Sequence, residues 1–151
     1  MTIQGSDALN RLNQHLLSPE YQIRELAAMN LGSISYNAIG KEQTIEANSI
    51  PPLCNMLSDK VSEVRTAATR ALASLAQYKD GKVQIYDLDK LNEIIKLLSD
   101  FNEQTRLNTV QLICNVAEYP PAKEKFKECI PKLKDICQKE EDSHPLVARY
   151  A

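Results

Sequence analysis

An interval of 41 residues constrains this chain more than any other feature. Arg24, Arg65 and Arg106 stand 41 positions apart, and each closes the same phrase: Leu16-Leu17-Ser18 to Ile23-Arg24, Met56-Leu57-Ser58-Asp59 to Val64-Arg65, Leu97-Leu98-Ser99-Asp100 to Thr105-Arg106. Gly40-Lys41, Gly81-Lys82 and Ala122-Lys123 recur at the same interval, as do the apolar Leu31, Leu72 and Ile113. A helical unit of this length cannot bury its apolar face alone, so successive units must stack and cover one another. The period therefore predicts an all-α solenoid. One domain is expected over residues 1–151, with units at 1–48 (partial), 49–88, 89–128 and 129–151 (partial).

Local signals divide each unit into short, middle and long pieces. Ser49-Ile50-Pro51-Pro52 opens a helix, because proline suits a first helical turn, and Leu53, Met56 and Leu57 continue it at helical spacing until Ser58-Asp59. A long helix follows from Val61 or Ser62 to Tyr78, with Val64, Ala67, Ala68, Ala71, Leu72 and Leu75 on one apolar stripe. Lys79-Asp80-Gly81-Lys82 reads as a break, with a short helix over 83–87 behind it. Ile23, Ala27, Leu31 and Ile34 hold the stripe positions in the unit before, and Thr105, Thr109, Ile113 and Val116 in the unit after, where Thr105 is the polar member. The pattern reopens at Ile130-Pro131 with Leu133, Ile136 and Cys137. A polar run, 138–143, reads as a turn, and Val147 starts a further long helix. Leu133, Ile136 and Val147 are thus expected to need a covering surface, and the C-terminal end is a candidate protein-binding site.

Composition narrows the function classes. With 151 residues, 43% hydrophobic and 25% charged, the chain can bury a sizeable core, while four glycines and no tryptophan leave little for sheets or phosphate-cradling loops. A net charge of −2 supplies no overall basic field for a nucleic-acid backbone, and no apolar run reaches the roughly 18 residues of a membrane span. Neither is an expected partner. Cys54, Cys114, Cys129 and Cys137 form no Cys-x-x-Cys pair and fall in apolar helical stretches, so they read as reduced core thiols rather than metal ligands. His15 and His144 sit in the first and last units, and no Gly-x-Gly-x-x-Gly, P-loop or His-Glu-x-x-His occurs. The sequence thus predicts no enzyme, no cofactor, no metal and no small-molecule substrate.

Ile50-Pro51-Pro52-Leu53, Val64-Arg65-Thr66-Ala67-Ala68 and Ala71-Leu72-Ala73-Ser74-Leu75-Ala76 resemble the armadillo repeat. The resemblance implies an armadillo/HEAT-like right-handed solenoid of about three to four 41-residue repeats, a surface for protein–protein contact. In the importin type, Trp and Asn four residues apart on the long helices hold a lysine-rich peptide. The matching positions here are Met29, Arg70 and Gln111, then Ser33, Ser74 and Asn115. Only Asn115 agrees, and Arg70 repels a cationic peptide, so an import adaptor is disfavoured. Arg106-Leu107-Asn108-Thr109 and Ala117-Glu118-Tyr119-Pro120 are similar to the armadillo-repeat radial spoke proteins of cilia. That similarity implies a structural scaffold in the cytoplasm, within the cytoskeleton of the ciliary or flagellar axoneme, with other spoke subunits as partners. The alternative is an adaptor that binds short linear motifs transiently.

Residues four apart on the long helices define a candidate groove of three rungs: Met29, Ser33 and Asn37; Arg70, Ser74 and Tyr78; Gln111, Asn115 and Tyr119. A polar trough with two tyrosines suits an extended peptide. The repeated arginines could form an anion ladder, but a residue required at one register in every unit is better explained structurally. They are expected to bond helix-end carbonyls or an acidic loop residue such as Asp59 or Asp100.

Overall fold

The computed structural model describes residues 3–140, and all regular structure among them is helical. The elements are α1 (Ile3–His15), α2 (Tyr21–Ile34), α3 (Ala38–Glu46), α4 (Ile50–Asn55), α5 (Ser62–Leu75), α6 (Lys79–Asp87), α7 (Leu91–Lys96), α8 (Glu103–Val116), α9 (Pro120–Phe126) and α10 (Ile130–Glu140). Single 3₁₀ turns extend α4, α7 and α9. The long helices α2, α5 and α8 begin 41 residues apart and pack side by side, α2 on α5 and α5 on α8. The chain is an all-α solenoid of the armadillo type.

The apolar stripe forms the core. Leu31, Leu72 and Ile113 from the long helices meet Ile50, Leu53 and Leu57 from α4 and its turn, and Ile94 and Leu98 from the next unit, all 2% exposed or less. Thr105 joins them without becoming a weak point. It is fully buried, and its hydroxyl shares a 2.7 Å hydrogen bond with that of Thr66 on the neighbouring long helix. Asn48 and Asp89 end α3 and α6 at positive φ, 61° and 55°, again at the 41-residue register. Asn and Asp tolerate that left-handed conformation better than most residues do.

Two sequence expectations need correction. Gly81 does not break the chain between helices: α6 already starts at Lys79, and Gly81 is its third residue. A Cβ there would lie 2.0 Å from the Leu75 carbonyl oxygen, and at Gly40 only 1.6 Å from that of Ile34. The glycines permit the short helix to cross the end of the long one, which is a demand of packing and not of φ. The following lysine completes the joint. Lys41 and Lys82 are buried and donate from Nζ to the carbonyls of Tyr36 and Gln77, each at 2.9 Å. The polar run 138–143 reads as a turn in the sequence, yet over 138–140 it continues α10, and Lys139 pairs with Asp135 one turn earlier at 2.8 Å, while 141–143 lie outside the described residues. Such an i,i+4 pair supports a helix that hydropathy alone would end.

Candidate functional site: a concave trough on the long helices

The repeated arginines are internal clamps. Arg24 grips the Asp59 carboxylate with Nε and Nη2 at 2.8 and 3.1 Å, and its Nη1 donates to the carbonyls of Ser18 and Pro19. Arg65 does the same to Asp100 at 2.8 and 3.4 Å and to the carbonyls of Asp59 and Lys60. Arg106 holds the carbonyls of Asp100 and Phe101. Each aspartate also accepts the N–H two residues on, from Val61 or Asn102. Burial alone would push the Asp59 and Asp100 carboxyls up. The hydrogen bonds from Arg24 and Arg65, the backbone N–H groups and the neighbouring guanidinium charges outweigh it, so both stay below the ordinary carboxylate value. These arginines are consumed by the fold, as their repetition suggested.

One set of side chains outside these clamps lies on the concave side of α2, α5 and α8. An open trough of about 610 Å³ is lined there by Glu25, Met29, Glu63, Thr66, Arg70, Asn108 and Gln111, with Ala28, Gly32 and Ala67 as its floor. Met29, Arg70 and Gln111, the first rung positions, converge in it. The other six groove candidates do not line it. Ser33 is exposed and Ser74 half-buried beyond the trough. Asn37 caps α3 by accepting the Gly40 N–H at 2.8 Å. Asn115 donates to the Ala73 carbonyl at 2.9 Å, and the Tyr78 hydroxyl to that of Ala38 at 3.1 Å. Tyr119 packs edge-on against Tyr86, ring centres 5.4 Å apart. Sequence reasoning followed the ladder toward the C-terminal ends of the long helices, whereas the trough opens toward their N-terminal ends. Stepping back one turn from Met29 and two from Arg70 would have reached Glu25 and Glu63.

Of the C-terminal candidates, Ile136 is buried in the core, Leu133 is half-buried against it, and Val147 lies outside the described residues. Ile130 is exposed in the same unit, but most exposed large apolar side chains among the described residues lie in the first unit, at Leu17, Tyr21, Leu26, Met29, Tyr36 and Ile39.

Among the described residues, no three or more His, Cys, Asp or Glu side chains gather where a metal could bind, and no helix is long and apolar enough to cross a membrane. Cys54 and Cys129 are buried free thiols and Cys114 is half-buried; burial pushes the Cys54 thiol up to about 12, which suppresses its nucleophilic form.

Comparison with known proteins agrees with the fold. The HEAT-like repeat matches residues 21–75. A designed armadillo repeat protein in complex with the peptide (KR)4 is 24% identical, with a TM-score of 0.81 over 95% of this chain. A second designed armadillo repeat protein is 26% identical, with a TM-score of 0.81 over 94%. A third, computationally designed for modular peptide recognition, is 25% identical, with a TM-score of 0.81 over 95%. The chain spans 60–61% of the length of these proteins. No curated protein matches it. The fold is thus that of an armadillo/HEAT-like repeat scaffold, an architecture suited to binding proteins.

Proposed function

We propose that this chain is a non-enzymatic scaffold subunit that holds an extended segment of another protein along the concave face of α2, α5 and α8. One observation carries the reading: Met29, Arg70 and Gln111, one from each long helix, converge with unpaired polar groups in an open trough, while the other regularly repeated polar groups, the Arg–Asp clamps, are satisfied internally. Designed armadillo proteins of similar fold that bind peptides support it. The test is a Met29→Arg/Gln111→Arg double variant, which fills the trough from exposed and half-exposed positions. It should melt within a few degrees of the wild type and lose the proteins that co-purify with it. An unchanged set of partners on a folded variant would remove the trough from consideration.

The setting we propose is the ciliary radial spoke, with axonemal subunits as partners. This rests on the resemblance carried by Arg106-Leu107-Asn108-Thr109 and Ala117-Glu118-Tyr119-Pro120 alone. Part of that phrase has internal duties, since Asn108 and Thr109 bond within the solenoid. Proximity labelling in ciliated cells decides it: spoke subunits among the labelled proteins are expected, and their absence would leave the scaffold reading without this address.

A further inference from the structure

The trough carries an asymmetric charge pattern. Glu25, Glu63 and Arg70 are its three charged lining residues, and none of their side chains makes a hydrogen bond or ion pair with another described residue. This contrasts with Arg24, Arg65, Asp59 and Asp100, all paired within the fold. Helices α2 and α5 start 41 residues apart, so Glu25 and Thr66, and Met29 and Arg70, hold equivalent positions along them. The two carboxylates therefore occupy the N-terminal end of the trough and the guanidinium the C-terminal end. Glu63 and Arg70 are seven residues apart on α5, about 10 Å at 1.5 Å per residue. Helix α8 adds no charge to the lining, only Gln104, Asn108 and Gln111 beside the capping residue Asn102. A segment of uniform charge would meet one attractive end and one repulsive end.

We infer that the trough selects a zwitterionic extended segment, with a basic side chain between Glu25 and Glu63 and an acidic side chain on Arg70. A segment lying over α5 and parallel to it advances about 3.3 Å per residue, so the two lie roughly three residues apart. The exposed stem of Met29 gives the segment an apolar contact at the Arg70 end, and Gln111 offers both a donor and an acceptor to its backbone. This deepens the proposed scaffold role and rests on the concave face being the binding face.

The probes are four synthetic nine-residue peptides on one Ser/Thr background, bearing Lys and Glu three residues apart, Lys at both positions, Glu at both, or Ser at both. Amide shifts of the whole chain in heteronuclear NMR report site and affinity together. The Lys/Glu peptide should shift amides around Glu25, Glu63 and Arg70 and bind at least about fivefold tighter than the others, the order expected of exposed ion pairs. Arg70→Glu should invert the ranking in favour of Lys/Lys, and Glu25→Lys/Glu63→Lys in favour of Glu/Glu. Equal shifts from all four peptides, or a ranking unmoved by these exchanges, would overturn the charge selection and leave the concave face as a binding surface. If no peptide shifts the trough amides, both fall.

Discussion

The α2/α5 and α5/α8 seams join the same kind of helix at the same register, yet different chemistry fills them. Small side chains meet at the first: Gly32 lies against Ala71, where an added Cβ would be 3.6 Å from the alanine, and Ala28 and Ala67 form the trough floor beside them. Hydroxyls and amides meet at the second: Thr66 bonds Thr105 at 2.7 Å, Asn108 donates to the Thr66 carbonyl at 3.1 Å, and Asn115 to that of Ala73 at 2.9 Å. One Arg–Asp clamp spans each. Both seams thus share a repeated distance and a repeated clamp, while the contacts across them are apolar in one and hydrogen-bonded in the other.

Added volume should separate the seams most. Ala71 is fully buried, so Ala71→Leu forces new methyl groups into a close-packed joint and should cost about 3 kcal/mol in chemical denaturation. A loss below about 1 kcal/mol would mean the first seam is loosely packed. The clamps should instead behave alike. Arg24→Ala and Arg65→Ala each remove a largely buried charged donor from a carboxylate and two carbonyls, with an expected loss of about 2 kcal/mol apiece. If Arg65→Ala melts like the wild type but loses its partners, the arginines are ligands after all.

Acid should act on both clamps together. Asp59 and Asp100 titrate lower in the folded chain than the unfolded value of about 3.9, so their contribution is fully present above that pH and is lost as pH falls through the folded values. An Asp59→Asn/Asp100→Asn variant should be less stable at pH 7 and show a shallower decline between pH 5 and 2. Parallel stability curves would refute the linkage.

The polar seam predicts non-additivity. Thr66→Val leaves the buried Thr105 hydroxyl without its closest partner and should cost about 1 kcal/mol, whereas Thr66→Val/Thr105→Val replaces both by side chains of similar shape and should recover much of it. Strictly additive losses would show that the hydroxyl pair contributes nothing specific. The smallest expected effect is a gain. Gly32→Ala adds a methyl group at ordinary contact distance and removes a helix-interior glycine, so stability should rise by about 0.5–1 kcal/mol. A loss there would mean that the helices approach more closely than their geometry indicates.

The 41-residue interval was enough to place the long helices, the apolar stripe and the structural arginines. Each of these is a local consequence of periodicity: a residue recurring at one register must meet the same surroundings, and a stripe at helical spacing must face a core. Asp59 and Asp100 could be suspected as arginine partners for the same reason. That each aspartate pairs with the arginine 35 residues before it, across the seam, was decided only when the units stacked. Packing within each unit assigned Gly40 and Gly81 to helix crossings, while stacking of the units spent Asn115 and Tyr78 on backbone carbonyls of the unit before. Glu25, Glu63 and Arg70 were left around one trough. No register could show this, because whether a polar side chain is spent or free depends on the neighbouring unit's backbone, which lies roughly 40 residues away in sequence and within hydrogen-bond reach in space.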